Sequence, residues 1–429
     1  MLVEAGIITV QELKVALEAQ KQVPNPLGVT LVELGYANET EILPILAQQL
    51  NRIDVTLYPK KTPSANSTTV TDALEELLTQ AVEQGSTDIH FEPTSTGVKV
   101  RFRIDGVLYE IGVPDFLNTK YAALVSRIKI LCNLDIAEKR MPQEGRTTVN
   151  VAGRELDVRV SILPTRYGES VVVRLLQKEI PLALSNIGLD EKNLGILQRL
   201  LERHSGLILV TGPTGCGKTT TLYACLDRLN DATRKIVTIE DPVEYTLPGV
   251  IQMQVNPMID LTFGRLLRTV LRHDPNILMV GEIRDTETAE VAFRMALTGH
   301  LVLSTVHTND AASTITRLLD MGIAPYLVAS SLSFVIAQRL VRTVCPKCHG
   351  KRCVSCLGLG LKGRSGVFEC LVIDDGIRKL ILSRASAEEI REKARSQGMR
   401  TLYEDGEAKV QASLTNREEV MRVVHSDEL

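Results

Sequence analysis

Apolar positions recur along this chain with two different periods, and the places where the period changes divide it. In the first fifty residues they fall at helical intervals, Leu13 and Leu17, then Ile42 and Leu46. Both sets belong to an internal repeat: Leu2-Val3-Glu4, Gly6, Glu12, Leu17 and Gln20 recur 29 positions later as Leu31-Val32-Glu33, Gly35, Glu41, Leu46 and Gln49. Each copy pairs an N-cap residue with a glutamate three positions on, Thr9 with Glu12 and Asn38 with Glu41, which satisfies free amides at a helix start. Residues 1–56 are therefore expected to form a helical repeat module. Residues 57–69, LYPKKTPSANSTT, read as a flexible linker.

Residues 70–180 mix the two periods, as an α+β domain would. A helix is expected from Asp72 to Gln84 and another from Leu117 to Cys132. Residues 97–112 alternate like a hairpin turning at Asp105-Gly106, and strands are expected at Glu155–Leu163 and Glu169–Leu176. From residue 181 onward, helical stretches separate the short apolar strands Leu207–Thr211, Ile236–Glu240, Ile277–Gly281 and Leu301–Val306, the pattern of a parallel sheet covered on both faces. The end of this α/β domain, residues 383–429, is charged and helical, with cap boxes expected at Ser386/Glu389 and Thr415/Glu418.

Composition narrows the class. A chain of 429 residues accommodates about three domains, and 44% hydrophobic with 24% charged residues excludes wholesale disorder. The longest apolar run, Tyr326 to Ala337, is too short for a membrane span, and no basic-then-apolar signal opens the chain, so a cytoplasmic protein is expected. A net charge of −3 argues against a nucleic-acid binder. Of eight cysteines, Cys345, Cys348, Cys353 and Cys356 form two C-x-x-C knuckles, a spacing suited to one structural Zn²⁺; free thiols or a redox pair are the alternatives. Cys132, Cys225 and Cys370 read as core residues.

The chemistry concentrates after 206. Gly212-Pro213-Thr214-Gly215-Cys216-Gly217-Lys218-Thr219, followed by Thr220, lies between an apolar strand and a helix and fits G-x-x-x-x-G-K-[ST]. Its glycines let amides turn toward phosphates, Lys218 would reach the β- and γ-phosphates of ATP, and the Thr219 hydroxyl would sit on Mg²⁺. Cys216 needs to contribute only its amide. Glu240, Asp241 and Glu244 end the second strand, where they could hold Mg²⁺ and orient a water. Gly281 stands where a Walker B Asp is common, leaving Glu282 as the acid, and His307 follows the fourth strand.

GPTGCGKTTTLY, TIEDPVEY, LRTVLRHDPNILMVGEIRD and TGHLVLSTVHTNDA resemble the Walker A, Asp box, Walker B and His box of the secretion ATPases that drive type II secretion and assemble type IV pili. The likeness continues through STDIHFEP, RFRIDGVL, LDIAEKRMPQEGR and DVRVSILPTRYGESVVVRLL. It implies a RecA-like P-loop ATPase domain joined to the α+β domain, working as a homo-hexamer with ATP near the neighbouring subunit. In that setting Glu282 would position Mg²⁺ and its waters, and His307 would contact the γ-phosphate. Glu244 is the first choice for general base, with Glu282 the alternative. Arg159 and Arg174, with Arg268 and Arg272, match family positions that supply positive charge to the transition state, and Arg364 is a lesser candidate.

The resemblance also implies partners: an inner-membrane platform protein and a cytoplasmic adaptor, with the motor peripheral to the inner membrane and pilin-like subunits as cargo. The N-terminal repeat and the cysteine knuckles favour an assembly or secretion motor over a retraction motor. Family members carry a longer insertion between the knuckles than the four residues 349–352. Some relatives bind cyclic di-GMP through repeats that open Arg-Leu-Gly. Here the second copy opens Pro26-Leu27-Gly28, which favours a docking module over dinucleotide sensing.

Overall fold

The computed structural model describes residues 7–22, 30–31, 34–37, 69–151, 153–176 and 183–424, and the chain divides into two units, residues 1–61 and 62–429. In the first unit, helix α1 (Val10–Gln22) starts at the expected capping box. The Glu12 amide donates to the Thr9 hydroxyl at 3.2 Å, and the Thr9 amide and hydroxyl donate back to the Glu12 carboxylate. Its inward stripe is Leu13 and Ala16, packed with Ile8, Leu31 and Ala37. Leu17, expected on that stripe, stands 43% exposed, because one residue beyond Ala16 turns it about 100° away. The second copy's cap and apolar positions, from Asn38 to Leu46, lie outside the described residues, as does the expected linker apart from Thr69.

The second unit contains two sheets. Helix α2 (Val70–Glu83), capped by Thr69, leads into β1 (Ser86–Thr94), β2 (Gly97–Ile104), β3 (Val107–Ile111), helix α3 (Phe116–Leu131), β4 (Gln143–Val151), β5 (Arg154–Thr165) and β6 (Gly168–Leu176). The sheet is antiparallel, in the order β3-β2-β1-β6-β5-β4. Asp105 and Gly106 both take positive φ, 49° and 85°, the type I′ geometry that a two-residue hairpin prefers. Two of these strands were not expected. In β1 the apolar pair Ile89 and Phe91 is diluted by charge, and edge strand β4 (QEGRTTVNV) buries only Val151.

The second sheet has the order β13-β12-β7-β11-β10-β8-β9. Its elements are α4 (Glu191–Leu201), β7 (Gly206–Thr211), α5 (Lys218–Leu229), β8 (Ile236–Glu240), β9 (Ile251–Gln254), α6 (Phe263–Val270), β10 (Ile277–Val280), α7 (Thr286–Leu297) and β11 (Leu301–Val306). Then follow α8 (Ala311–Asp320), α9 (Pro325–Ser331), β12 (Leu332–Val344), β13 (Leu361–Val372), α10 (Asp375–Leu382), α11 (Ala387–Ser396), α12 (Leu402–Gln411) and α13 (Arg417–Val424). All pairings are parallel except β12 with β13.

Both faces are covered, as the apolar strands require. Leu207, Leu209, Val237, Leu278 and Val302 enter one core, while Ile208, Val210, Ile236, Ile277 and Leu301 enter the other. The apolar run Tyr326–Ala337 is α9 joined directly to the first half of β12, with no turn residue between them. Among the described residues, no helix is long and apolar enough to cross a membrane.

The Ser386/Glu389 cap box forms. At α13 the expected pair is replaced. Asn416 accepts from the Glu419 amide at 2.9 Å, and the Thr415 hydroxyl donates instead to the Arg342 carbonyl at 2.7 Å. Cys132, Cys225 and Cys370 are buried, as core thiols should be.

Candidate active site

Strands β7, β11, β10 and β8 lie side by side and parallel, so their C-terminal ends share one edge of the sheet. The loop Gly212–Gly217 leaves β7 at that edge and opens α5 at Lys218. Gly212 (φ 145°) and Gly217 (φ 90°) close it against β12. A Cβ at Gly212 would stand 2.5 Å from the Gln338 carbonyl, and one at Gly217 2.9 Å from the Gln338 amide nitrogen. Pro213, Thr214, Gly215 and Thr219 are exposed, Thr220 is half-buried, and Cys216 turns inward, where burial pushes its thiol up. Lys218 Nζ donates to the Gly212 and Pro213 carbonyls at 2.6 and 3.1 Å.

Lys218 opens a line of charged groups across the strand ends. Its Nζ is 3.4 Å from His307 Nδ1, His307 Nε2 is 3.5 Å from Glu282, and Glu282 pairs with Arg284 at 2.6 Å. Burial first, then the Lys218 charge, lowers the His307 pKa, so the imidazole is neutral at pH 7. Gly281 packs against β8: a Cβ there would lie 3.2 Å from the Ile239 carbonyl.

The acids after β8 divide. Asp241 is exposed, and Glu244 faces Arg159 of β5 at 3.5 Å, with Arg159 Nη2 donating to the Val243 carbonyl at 2.9 Å. Arg174 of β6 pairs with Asp88 at 2.7 Å. Glu240, expected beside the nucleotide, is buried within the fold and accepts from Tyr223, Thr238 and Gln252. Strand β8 is buried along its whole length, and Glu240 falls on the same face as Ile236, which enters the core that contains Tyr223.

Arg268 on α6 pairs with Glu287 of α7, and Arg272 is exposed just past the end of α6; neither joins the Lys218–Glu282 line within one chain. Arg364 lies 3.6 Å from Asp105, at the contact between the two sheets. Three residues at the site carry no motif signal of their own: Arg284, Gln338 and Arg339. Gln338 accepts from Thr221 at 2.7 Å, and buried Arg339 donates to the Asn309 carbonyl at 2.9 Å, tying the phosphate loop's helix and the His-box loop to β12. A glutamine and an arginine inside the apolar run SFVIAQRLV were the signal.

The sulfurs of Cys345, Cys348, Cys353 and Cys356 lie within 4.8 Å of one another. The Cys353 and Gly360 amides each donate to Cys356 Sγ at 3.2 Å, and although burial opposes them, they help draw that thiol down to about 6. Four convergent sulfurs, one already favoured as thiolate, fit a tetrahedral ion, and the four-residue spacer closes the loop next to a register shift between Arg342 and Val344 in the β12–β13 hairpin.

A largely parallel sheet with a phosphate loop after a central strand and acids at adjoining strand ends defines a RecA-like P-loop ATPase. The family model described as Type II/IV secretion system protein matches residues 64–422, and the chain belongs to that family. It is 51% identical over 359 residues to the type II secretion system protein HxcR of Pseudomonas aeruginosa, covering 82% of this chain and 76% of that one. It is 43% identical over 454 residues to type II secretion system protein E of Dickeya dadantii, covering 96% and 90%.

Among solved structures, the pilus retraction motor PilT with bound ADP superposes at a TM-score of 0.57 and 28% identity, covering 82% of this chain and 96% of that one. The DotB ATPase of Legionella pneumophila shares the fold at a TM-score of 0.64 and 22% identity, covering 82% and 95%. The protein is thus an ATP-hydrolysing enzyme of the secretion ATPase family, using ATP with Mg²⁺.

Proposed function

We propose that the chain is the motor subunit of a type II secretion or type IV pilus assembly machine, working as a homo-hexamer on an inner-membrane platform protein. In this reading residues 1–56 dock to the machine's cytoplasmic side, 57–69 link, and 70–180 and 181–429 are the two halves that close on ATP. The motor is cytoplasmic and peripheral to the inner membrane through its partners. The observation that carries the reading is the convergence of Lys218, His307 and Glu282 at adjoining strand ends, with Arg159 brought to Glu244 from the other sheet.

Hydrolysis requires a water activated against the γ-phosphorus while negative charge spreads over the phosphoryl oxygens. Glu244 accepts the proton of that water. Lys218, released from the Gly212 and Pro213 carbonyls it now caps, neutralises the β- and γ-phosphates. His307, neutral at working pH, meets the γ-phosphate as a hydrogen-bond partner. Mg²⁺ would be held by Thr219 and Glu282 and supplies charge neutralisation at the phosphate oxygens. Arg159 and Arg174 bring positive charge from the first sheet. Arg268 and Arg272, which do not join the Lys218–Glu282 line of their own chain, serve a neighbour's site. Zinc in the Cys345–Cys356 loop is structural.

Mass photometry of the full chain in Mg²⁺-ATP tests the assembly. Hexamers are expected, with turnover raised by the cytoplasmic domain of a platform protein and unaffected by single-stranded DNA. A monomer with full turnover, or stimulation by the DNA alone, would contradict the reading.

A further inference from the structure

Tyr223 lies on α5, the helix that opens with Lys218, and is fully buried with its hydroxyl donating to Glu240 Oε2. The other oxygen of that carboxylate accepts from the Thr238 hydroxyl and from Gln252 Nε2, the latter at 3.1 Å. Burying a carboxylate costs heavily unless donors replace water, and here three side chains do so. Gln252, on β9, carries the network onward. It donates to the Tyr245 carbonyl at 3.1 Å and accepts from the Leu247 amide at 2.7 Å. The Tyr223 and Tyr245 rings meet edge to face with centroids 4.5 Å apart.

The segment bearing Glu244 is therefore gripped on both sides of that residue by one buried network anchored in the phosphate-loop helix. Its only other side-chain anchors among the described residues are the Arg159 contacts and a 3.3 Å bond from the Val243 amide to Gln254. We infer that Tyr223, Glu240 and Gln252 are positioning residues that hold Glu244 at a fixed distance from the phosphates bound by Lys218, and that Glu240 serves this network instead of the nucleotide. The inference rests on Glu244 being the base. It makes helix α5 do two things at once: its first turn takes the phosphates, and its second turn places the group that activates water. A base displaced by a fraction of an ångström loses alignment with its water while nucleotide binding is untouched.

Steady-state kinetics of the full chain with Mg²⁺-ATP test this. Tyr223→Phe, which deletes one hydroxyl, is expected to lower kcat roughly tenfold to a hundredfold while KM for ATP changes less than about twofold. In a Glu244→Gln background the same substitution should alter residual turnover by less than about twofold, because it acts only through the group already removed. If Tyr223→Phe is poorly folded, Gln252→Met must show the same split between kcat and KM. Wild-type kcat in the folded variant, beside an inactive Glu244→Gln, overturns the positioning role and leaves the base assignment standing. A further loss in the Glu244→Gln background also overturns it, since the tyrosine would then be supporting the fold. Wild-type turnover in Glu244→Gln itself overturns the base assignment, and the inference with it.

Discussion

Arg159 brings the first sheet to the segment that carries Glu244. It spans from β5 to the Val243 carbonyl and the Glu244 carboxylate, and its guanidinium keeps its charge at any working pH. Because the pair with Glu244 is partly solvated, Arg159→Ala should leave the melting temperature nearly unchanged. Turnover should fall on the order of 10³, the scale of a lost transition-state arginine. Phosphate release and a thermal melt on the same sample check both halves, and wild-type turnover would remove Arg159 from the site. At this scale the sequence was informative where a motif is contiguous. Lys218, Glu282 and His307 sit in strings whose spacing encodes strand, turn and helix. Gln338 acts on Thr221 of the phosphate-loop helix, more than a hundred residues earlier in the chain, and Arg339 on the Asn309 carbonyl, so their part depends on β12 lying next to β7. Glu240 shows the converse, an acid in the right string whose side chain turns inward.

Among the elements, β13 and the start of α8 share a buried carboxyl. Glu369 accepts from the Ala311 amide at 2.8 Å; burial dominates, and its pKa is pushed up to about 7. A carboxyl whose folded pKa exceeds its unfolded one favours the fold while protonated. Its contribution is complete below about pH 4.5 and is lost as pH rises through about 7. Wild type should therefore lose stability relative to Glu369→Gln between those limits and remain parallel to it above them. Urea midpoints of the two proteins across that window give the difference directly, and a constant difference would contradict the assignment. The four apolar strands and the β2–β3 hairpin were legible because each carries an unbroken run or a strict alternation. Strands β4, β9, β12 and β13 were not. Edge strand β4 exposes alternate residues without an apolar partner set, edge strand β9 is only four residues long and buries none of them, and the other two form an antiparallel hairpin joined through the cysteine loop.

For the molecule as a whole, the contacts that join the two sheets have no local signature. Arg342 on β12 donates to the Tyr109 hydroxyl at 2.7 Å, and the Gly363 amide donates to Asp105 at 2.8 Å, linking residues more than two hundred positions apart. Arg342 also pairs with buried Glu419, so α13, β12 and β3 meet at one charged junction. That junction and the Arg159 contacts are side-chain links between the two sheets. In the proposed mechanism Glu244 removes the proton of the attacking water. The most direct measurement is rapid-quench analysis of phosphate formed in a single turnover by Glu244→Gln loaded with Mg²⁺-ATP. ATP is expected to bind as in wild type and to stay intact over many wild-type turnover times. A burst of phosphate at the wild-type rate would contradict that mechanism.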